Sequence, residues 1–308
     1  MAFNRLVRFV PRGDKSAVLL GEPLDAELDV GIAVRNGDEV KVRVFSGSSA
    51  LSAGSPTDSV ESIDRILSPL TMEEVGTIRC IGLNYVQHAV ETNLALPTVP
   101  ILFIEESPSL LTRHFLSVQN HRKPATSLAD PWPAPTLIPA FTVADNTVDY
   151  ESELCVVLGK EAKNVSEEDA LSYVLGYTAS NDVSSRKSQF DQSQWCFSKG
   201  FDKACPIGPT LVSPSAIPDP SKLRMRGLKN GTVMQDTPLD DLIFAVPKLI
   251  SFLSQGTTLP AGTIILTGTP AGIGMASKPD GYLKDGDEFS VEILPHIGTL
   301  VSKIQYEV

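Results

Sequence analysis

The chain is expected to adopt a β-rich α+β fold, because strand-like runs are many and helical periods few. Short aliphatic or alternating segments recur between clusters of Gly, Pro, Asn and Ser, which is how paired strands and their turns read. The 308 residues are 42% hydrophobic, enough for a substantial core and for one large domain plus a smaller one.

Residues 6–10, 17–20 and the alternating Val40, Val42 and Val44 are read as strands. Asn36-Gly37 is expected to form a tight hairpin turn between two of them, since both residues accept positive φ. A helix is expected over residues 60–67, stopped near Pro69. With Gly and Ser crowding positions 46–55, these features mark a small N-terminal β-rich domain over 1–75 and a second domain over 76–308.

Residues 78–91 read as a strand, a turn at Gly82 and a short helix on which His88 and Glu91, three apart, share a face. A carboxylate beside an imidazole fixes its tautomer and raises its basicity, as a base for water requires. The pair also fits an ordinary surface contact. Residues 105–147 are the least regular stretch, with six prolines between Pro108 and Pro139, and a loop of that length reads as a lid, a binding loop or a partner surface. His114 and His121 within it are read as solvated.

The run Val148-Asp149-Tyr150-Glu151-Ser152-Glu153-Leu154 opens a strand on which Glu151 and Glu153 point to the same face. Such a pair is either a solvated edge or a set of ligands, because like charges side by side repel unless a cation joins them. A second strand-like run, residues 176–183, ends in Asp182, and Ser166 to Asp169 is expected to cap a helix between the two. If these strands are neighbours, Asp182 completes a three-carboxylate site for a hard ion, Mg²⁺ or Mn²⁺.

Further on, Arg186 and Lys199 supply local positive charge, whereas Lys187 is read as a surface residue. A hairpin is expected around Asn230-Gly231, then an amphipathic helix over 239–253 that Pro247 kinks or splits. Residues 263–266 form a buried-type strand running into Thr267-Gly268-Thr269-Pro270-Ala271-Gly272, whose glycines either let backbone N–H groups approach an anion or make a turn. Residues 289–294 and 300–306 are the last strands.

No apolar run approaches the ~18 residues of a membrane span and no signal-peptide core opens the chain, so a cytoplasmic protein is expected. The net charge of −11 and pI near 4.9 argue against nucleic acid or an anionic membrane as partner. Four cysteines without C-x-x-C spacing indicate neither zinc nor a disulfide framework.

Taken in order, Gly82-Leu83-Asn84-Tyr85, His88-x-x-Glu91, Asp149-Tyr150-Glu151-x-Glu153-Leu154, Asn181-Asp182-Val183-Ser184-x-Arg186, Lys199, Gly208-Pro209 and Thr267-Gly268-Thr269-Pro270-x-Gly272 resemble the fumarylacetoacetate hydrolase superfamily, its acylpyruvase and oxaloacetate decarboxylase branch. The resemblance spans about residues 77–308. It implies a mixed β-roll catalytic domain, a homodimer, and a Mg²⁺ or Mn²⁺ site of Glu151, Glu153 and Asp182. It also implies a water-activating dyad of His88 and Glu91 on a lid. Arg186, Gln189, Lys199 and Thr269 would meet a keto or diketo acid, with Lys199 among the catalytic groups.

The implied reaction is hydrolysis of a C–C bond in an acylpyruvate or β-diketo acid. Decarboxylation of an oxaloacetate-like acid, isomerisation or tautomerisation of a diketo compound, and a non-catalytic binding protein are the alternatives. Three departures stand out. Phe103-Ile104-Glu105 lacks the Lys of the family's F-x-K-P segment, Lys187 stands where Asp often follows the motif Arg, and the interval from Glu91 to Glu151 is enlarged.

Overall fold

A computed structural model describes residues 3–101, 122–192, 195–277 and 281–307. Its strands are β1 (Arg5–Pro11), β2 (Leu19–Pro23), β3 (Lys41–Phe45), β4 (Pro56–Leu67), β5 (Ile78–Cys80), β6 (Arg122–Lys123), β7 (Leu128–Ala129), β8 (Pro135–Ile138) and β9 (Val148–Asp149). They continue as β10 (Ser152–Leu158), β11 (Val174–Asn181), β12 (Ser184–Ser185), β13 (Cys205–Val212), β14 (Arg224–Lys229), β15 (Thr232–Pro238), β16 (Ile264–Leu266), β17 (Glu288–Leu294) and β18 (Gly298–Tyr306). The α-helices are short: α1 (Val30–Asn36), α2 (Val86–Thr92), α3 (Ala140–Val143), α4 (Arg186–Asp191), α5 (Cys196–Lys199) and α6 (Val246–Ser254). The expected β-rich character holds, and among the described residues no helix is long and apolar enough to cross a membrane.

An 11-stranded sheet runs β2-β3-β4-β1-β13-β11-β10-β16-β5-β6, with β7 beside β13, and a five-stranded sheet runs β15-β14-β17-β18-β8. In β10 alternate residues serve two different cores. Leu154, Val156 and Leu158 join Tyr177, Phe289 and Ile304, while Cys155 and Val157 join Leu211, Ile264 and Leu266. Burial on both faces explains why this strand reads as a continuous apolar run rather than an alternating one. The strands preceding β5 and helix α1 close their own cluster of Val7, Phe9, Val30, Val42, Ile63 and Ile66, and their sheet is joined to the rest where Leu6 pairs with Leu211.

Several expectations are corrected. Asn36-Gly37 ends helix α1 rather than turning a hairpin: Asp29 Oδ1 accepts from Ile32 N–H, and Gly37, at φ 84°, donates its N–H to carbonyls of the last turn. The positive φ that suits Asn-Gly to a hairpin turn suits it equally to a helix C-terminus. Residues 60–67 are strand, not helix. Pro11 pairs with Ile63 and Val10 with Arg65, so Asp64 is an extra residue, and the bulge turns Ile63 and Ile66 to the same buried side at a helical spacing.

Ser166 does bond reciprocally with Asp169, but only a short 3₁₀ turn, Ala170–Tyr173, follows before β11 begins. The helix expected over 239–253 is split, as Pro247 indicated, into a 3₁₀ turn at Leu239–Asp241 and α6, with the proline in the first helical turn. The Asn230-Gly231 hairpin forms between β14 and β15, where Lys229 pairs with Thr232.

The proline-rich part of the expected loop is not a lid. Leu128 and Ala129 pair with β13, Pro135 to Ile138 pair in parallel with β18, and Ser127, Thr136 and Ile138 are buried. His114, His121 and the segment Phe103-Ile104-Glu105 lie outside the described residues.

Candidate active site

β10 and β11 run antiparallel, with Ser152 opposite Asn181, which brings the start of one strand beside the end of the other. Asp182 N–H donates to the Glu151 carbonyl at 2.8 Å and Glu151 N–H to Asn181 Oδ1 at 3.0 Å. Alternation then puts the Glu151, Glu153 and Asp182 carboxylates together, one oxygen of each within 4.8 Å of the others, and all three residues are buried. Buried carboxylates so close require compensation.

Compensation is uneven. Glu151 receives Arg186 Nη1 at 2.7 Å on one oxygen and Lys199 Nζ at 2.7 Å on the other. Asp182 Oδ2 accepts from Lys199 Nζ at 3.0 Å, and its Oδ1 forms an ion pair with Lys123 Nζ at 2.7 Å without hydrogen-bond geometry. Among the described residues no side-chain cation forms an ion pair with Glu153, and its Oε2 accepts from the backbone N–H of Gly268 at 2.6 Å. Gly268 has φ 93°, and a Cβ there would stand 2.9 Å from the Ile81 carbonyl oxygen, so only glycine brings this N–H to the carboxylate.

The acidities follow. Burial opposes ionisation of Glu151, but Lys199 and Arg186 overcome it and hold the carboxyl down at about 2. Burial, then Asp182 and Glu151, push Glu153 well above the usual carboxylate range. Burial pulls Lys199 down, and Asp182 with Glu151 more than reverses this, so its ammonium is firmly protonated.

Asp149 adds a fourth carboxylate. It holds Arg186 Nε at 2.8 Å and accepts the N–H groups of Gly274 and Met275. Among the described residues four carboxyl groups therefore face three cations, Lys123, Arg186 and Lys199. The surplus negative charge sits at Glu153, beside two other oxygen donors, and an oxygen-only set of this spacing fits a hard divalent cation.

The sequence-marked pair meets as expected on α2: His88 Nδ1 lies 3.0 Å from Glu91 Oε2. Glu91 Oε1 accepts the Gly272 N–H at 2.9 Å, which docks the helix on the loop after β16. A cavity of about 310 Å³ has His88, Glu151, Arg186 and Gln189 in its wall. The rest of its described lining is mainly apolar, including Leu83, Leu94, Ile101, Phe190, Trp195 and Met275.

Thr269 is brought to the neighbourhood but not into that wall, and its hydroxyl accepts from Gln235 Nε2 at 2.8 Å. Lys187 is exposed and bonds Asp191, in keeping with a surface role. Lys123 was missed. Followed by Pro124, it brings a buried cation to Asp182, so the charge found wanting at Glu105 enters from β6 instead. The Lys-Pro pair was its signal, hidden in a stretch read as irregular loop. Asp149 stood inside a recognised motif, but nothing local shows that it would take Arg186.

The fold and this constellation define the class: the chain belongs to the fumarylacetoacetate hydrolase family, whose description "Fumarylacetoacetate (FAA) hydrolase C-terminal" matches residues 77–305. Among its relatives, a caffeoylpyruvate hydrolase of Neonothopanus nambi is 43% identical over 99% of this chain and 94% of its own length. The oxaloacetate tautomerase YisK of Bacillus subtilis (strain 168) is 38% identical over 74% of this chain and 69% of its own. The crystal structure of a 5-carboxymethyl-2-hydroxymuconate delta-isomerase from Mycobacterium smegmatis superposes with a TM-score of 0.75 at 27% identity, covering 98% of this chain and 100% of that one.

Proposed function

We propose that the protein is a divalent-metal-dependent hydrolase that cleaves the C–C bond of an acylpyruvate with an apolar acyl arm. The observation that carries this reading is one cavity wall that joins the His88–Glu91 pair to Glu151, Arg186 and Gln189 and continues into apolar surface. Mg²⁺ or Mn²⁺ on Glu151, Glu153 and Asp182 would supply stabilisation of the negative charge developing on the departing pyruvate oxygen.

The remaining work falls to side chains. Glu91 orients the imidazole through Nδ1, leaving Nε2 to take a proton from the water that attacks the acyl carbonyl. Arg186 spends Nε and Nη1 on Asp149, Glu151 and Gln189, while its buried Nη2 has no hydrogen-bond partner among the described residues and suits a substrate carboxylate. Lys199, triply bonded to Glu151, Asp182 and Ser184, holds Glu151 ionised. Water adds to the acyl carbon as His88 takes its proton, the C–C bond breaks with its electron pair passing to the pyruvate enolate, and return of the proton to the enolate carbon releases a carboxylic acid and pyruvate.

Oxaloacetate carries a second carboxylate, and the apolar part of the described cavity offers that group no cation. Tautomerisation of oxaloacetate is nonetheless the second reading, favoured by the likeness to a tautomerase over most of the chain. Supplying cinnamoylpyruvate-type acids, small aliphatic acylpyruvates and oxaloacetate to the Mn²⁺-loaded protein separates the readings by pyruvate release, CO₂ release and enol absorbance. Pyruvate from the aryl acids is expected. Tautomerisation or decarboxylation alone overturns hydrolysis, and binding without turnover returns the non-catalytic alternative.

A homodimer is proposed with the same reading. Phe141, Phe197 and Phe201 pack at 5.6–5.8 Å between ring centroids, with Phe141 and Phe197 more than half exposed, an apolar surface of the kind a subunit contact covers. Light scattering that returns a monomer mass overturns it.

A further inference from the structure

Lys123 lies almost wholly inside the protein, 3% exposed, and it is absent from the described lining of the cavity. Its ammonium donates to the Ala204 carbonyl at 2.7 Å and the Val183 carbonyl at 3.3 Å and forms an ion pair with Asp182 Oδ1 at 2.7 Å, leaving that oxygen without a hydrogen-bond donor among the described residues. Val183 is the residue after Asp182, and its N–H in turn donates to the Ala204 carbonyl at 3.1 Å. The ammonium thus fastens the Asp182 carboxylate to the backbone just beyond it. Lys199 holds the other oxygen from α5, so the plane of this carboxylate is fixed from two sides.

We propose that Lys123 is a positioning residue that orients Asp182 for a divalent cation. This rests on the metal reading above. Two opposite expectations make it testable. If Lys123 were only a positive charge near the site, its removal would strengthen cation binding, because a like charge has gone. If it positions a ligand, removal weakens binding, by the roughly 10- to 100-fold typical of groups that orient metal ligands. If it served the fold alone, stability would fall and affinity would not.

The test uses the full chain stripped with EDTA and titrated with Mn²⁺ by calorimetry, with a thermal midpoint taken for every variant. Lys123→Met is expected to bind Mn²⁺ at least tenfold more weakly than the unsubstituted chain. Lys123→Gln, equally neutral but able to donate a hydrogen bond, is expected to recover part of that loss. Binding by Lys123→Met that is unchanged or tighter overturns the proposal. Should that variant not fold, Lys123→Gln decides alone: affinity equal to or above that of the unsubstituted chain overturns it, and weaker binding supports it. A chain that binds no Mn²⁺ before substitution overturns the metal reading and this inference with it.

Discussion

Glu151, Glu153 and Asp182 stand on or beside strands buried on both faces, whereas His88 and Glu91 stand on a helix whose one fully buried residue is Ala89. The first group is fixed by the sheet and by three cations. The second is tied to the body by the Gly272–Glu91 bond, a Gln87–Asp241 bond and the bridge of Tyr85 to Leu242. The contrast separates two demands. Clustered charge needs a rigid, dry frame that a sheet provides, while a base for water needs access and a support that can part from the site at small cost.

The comparison breaks most visibly at Asp182. Its carboxylate neutralises two buried ammoniums, so Asp182→Ala should destabilise the metal-free protein by about 3–5 kcal/mol and abolish activity. Read from sequence alone, Asp182 is a metal ligand and nothing more. A urea midpoint in EDTA equal to that of the unsubstituted chain would mean that the sheet does not depend on this charge balance.

On α2 the expectation is reversed, with chemistry lost and stability kept. His88→Ala should lower hydrolysis by about 10²–10⁴-fold with an unshifted unfolding midpoint, and should spare oxaloacetate decarboxylation relative to hydrolysis. Steady-state rates for both reactions decide it: equal losses make His88 a binding or lid residue, and an undiminished rate removes it as the base.

The smallest effect lies within the carboxylate cluster and depends on pH. Glu151 is held at about 2 in the folded protein, so its contribution to stability is present above its ordinary value of 4.5 and is lost as pH falls toward 2. Glu153 has the opposite sign. Its raised pKa means that metal-free stability falls as pH climbs above 4.5. Glu153→Gln should therefore stabilise the metal-free protein at neutral pH, the gain growing by at most ~1.4 kcal/mol per pH unit, and should bind Mn²⁺ more weakly. Denaturant titrations in EDTA across that range give the slope, and a pH-independent difference would place the surplus charge elsewhere.

Much of this site was legible because its residues come in short, ordered pairs. His88 with Glu91 needs only a helix turn, Glu151 with Glu153 only the alternation of a strand, and Asp182 only that β10 and β11 be neighbours. The cations were harder to assign. Lys123 reaches Asp182 across 59 positions, and its neighbours Pro124 and Ala125 read as loop although the segment is woven into both sheets. The fold class was legible for a similar reason: hairpins such as that at Asn230-Gly231 are local. The misread elements near the N-terminus arose where one signal serves two structures, Gly37 as turn or helix end, and Ile63 with Ile66 as helix period or bulged strand.

The hydrogen bond from Gly268 to Glu153 joins residues 115 positions apart, and the adjoining β16 pairs in parallel with β5, Ile264 against Ile78. Such partners meet late. A chain emerging from the ribosome can form the β10–β11 hairpin well before β16 exists, and the carboxylates would then stand in a sheet whose edge is open to water and to other strands. Assembly of the site is thus coupled to completion of synthesis, and nascent chains released before residue 268 should resist proteolysis less than the finished protein and aggregate more.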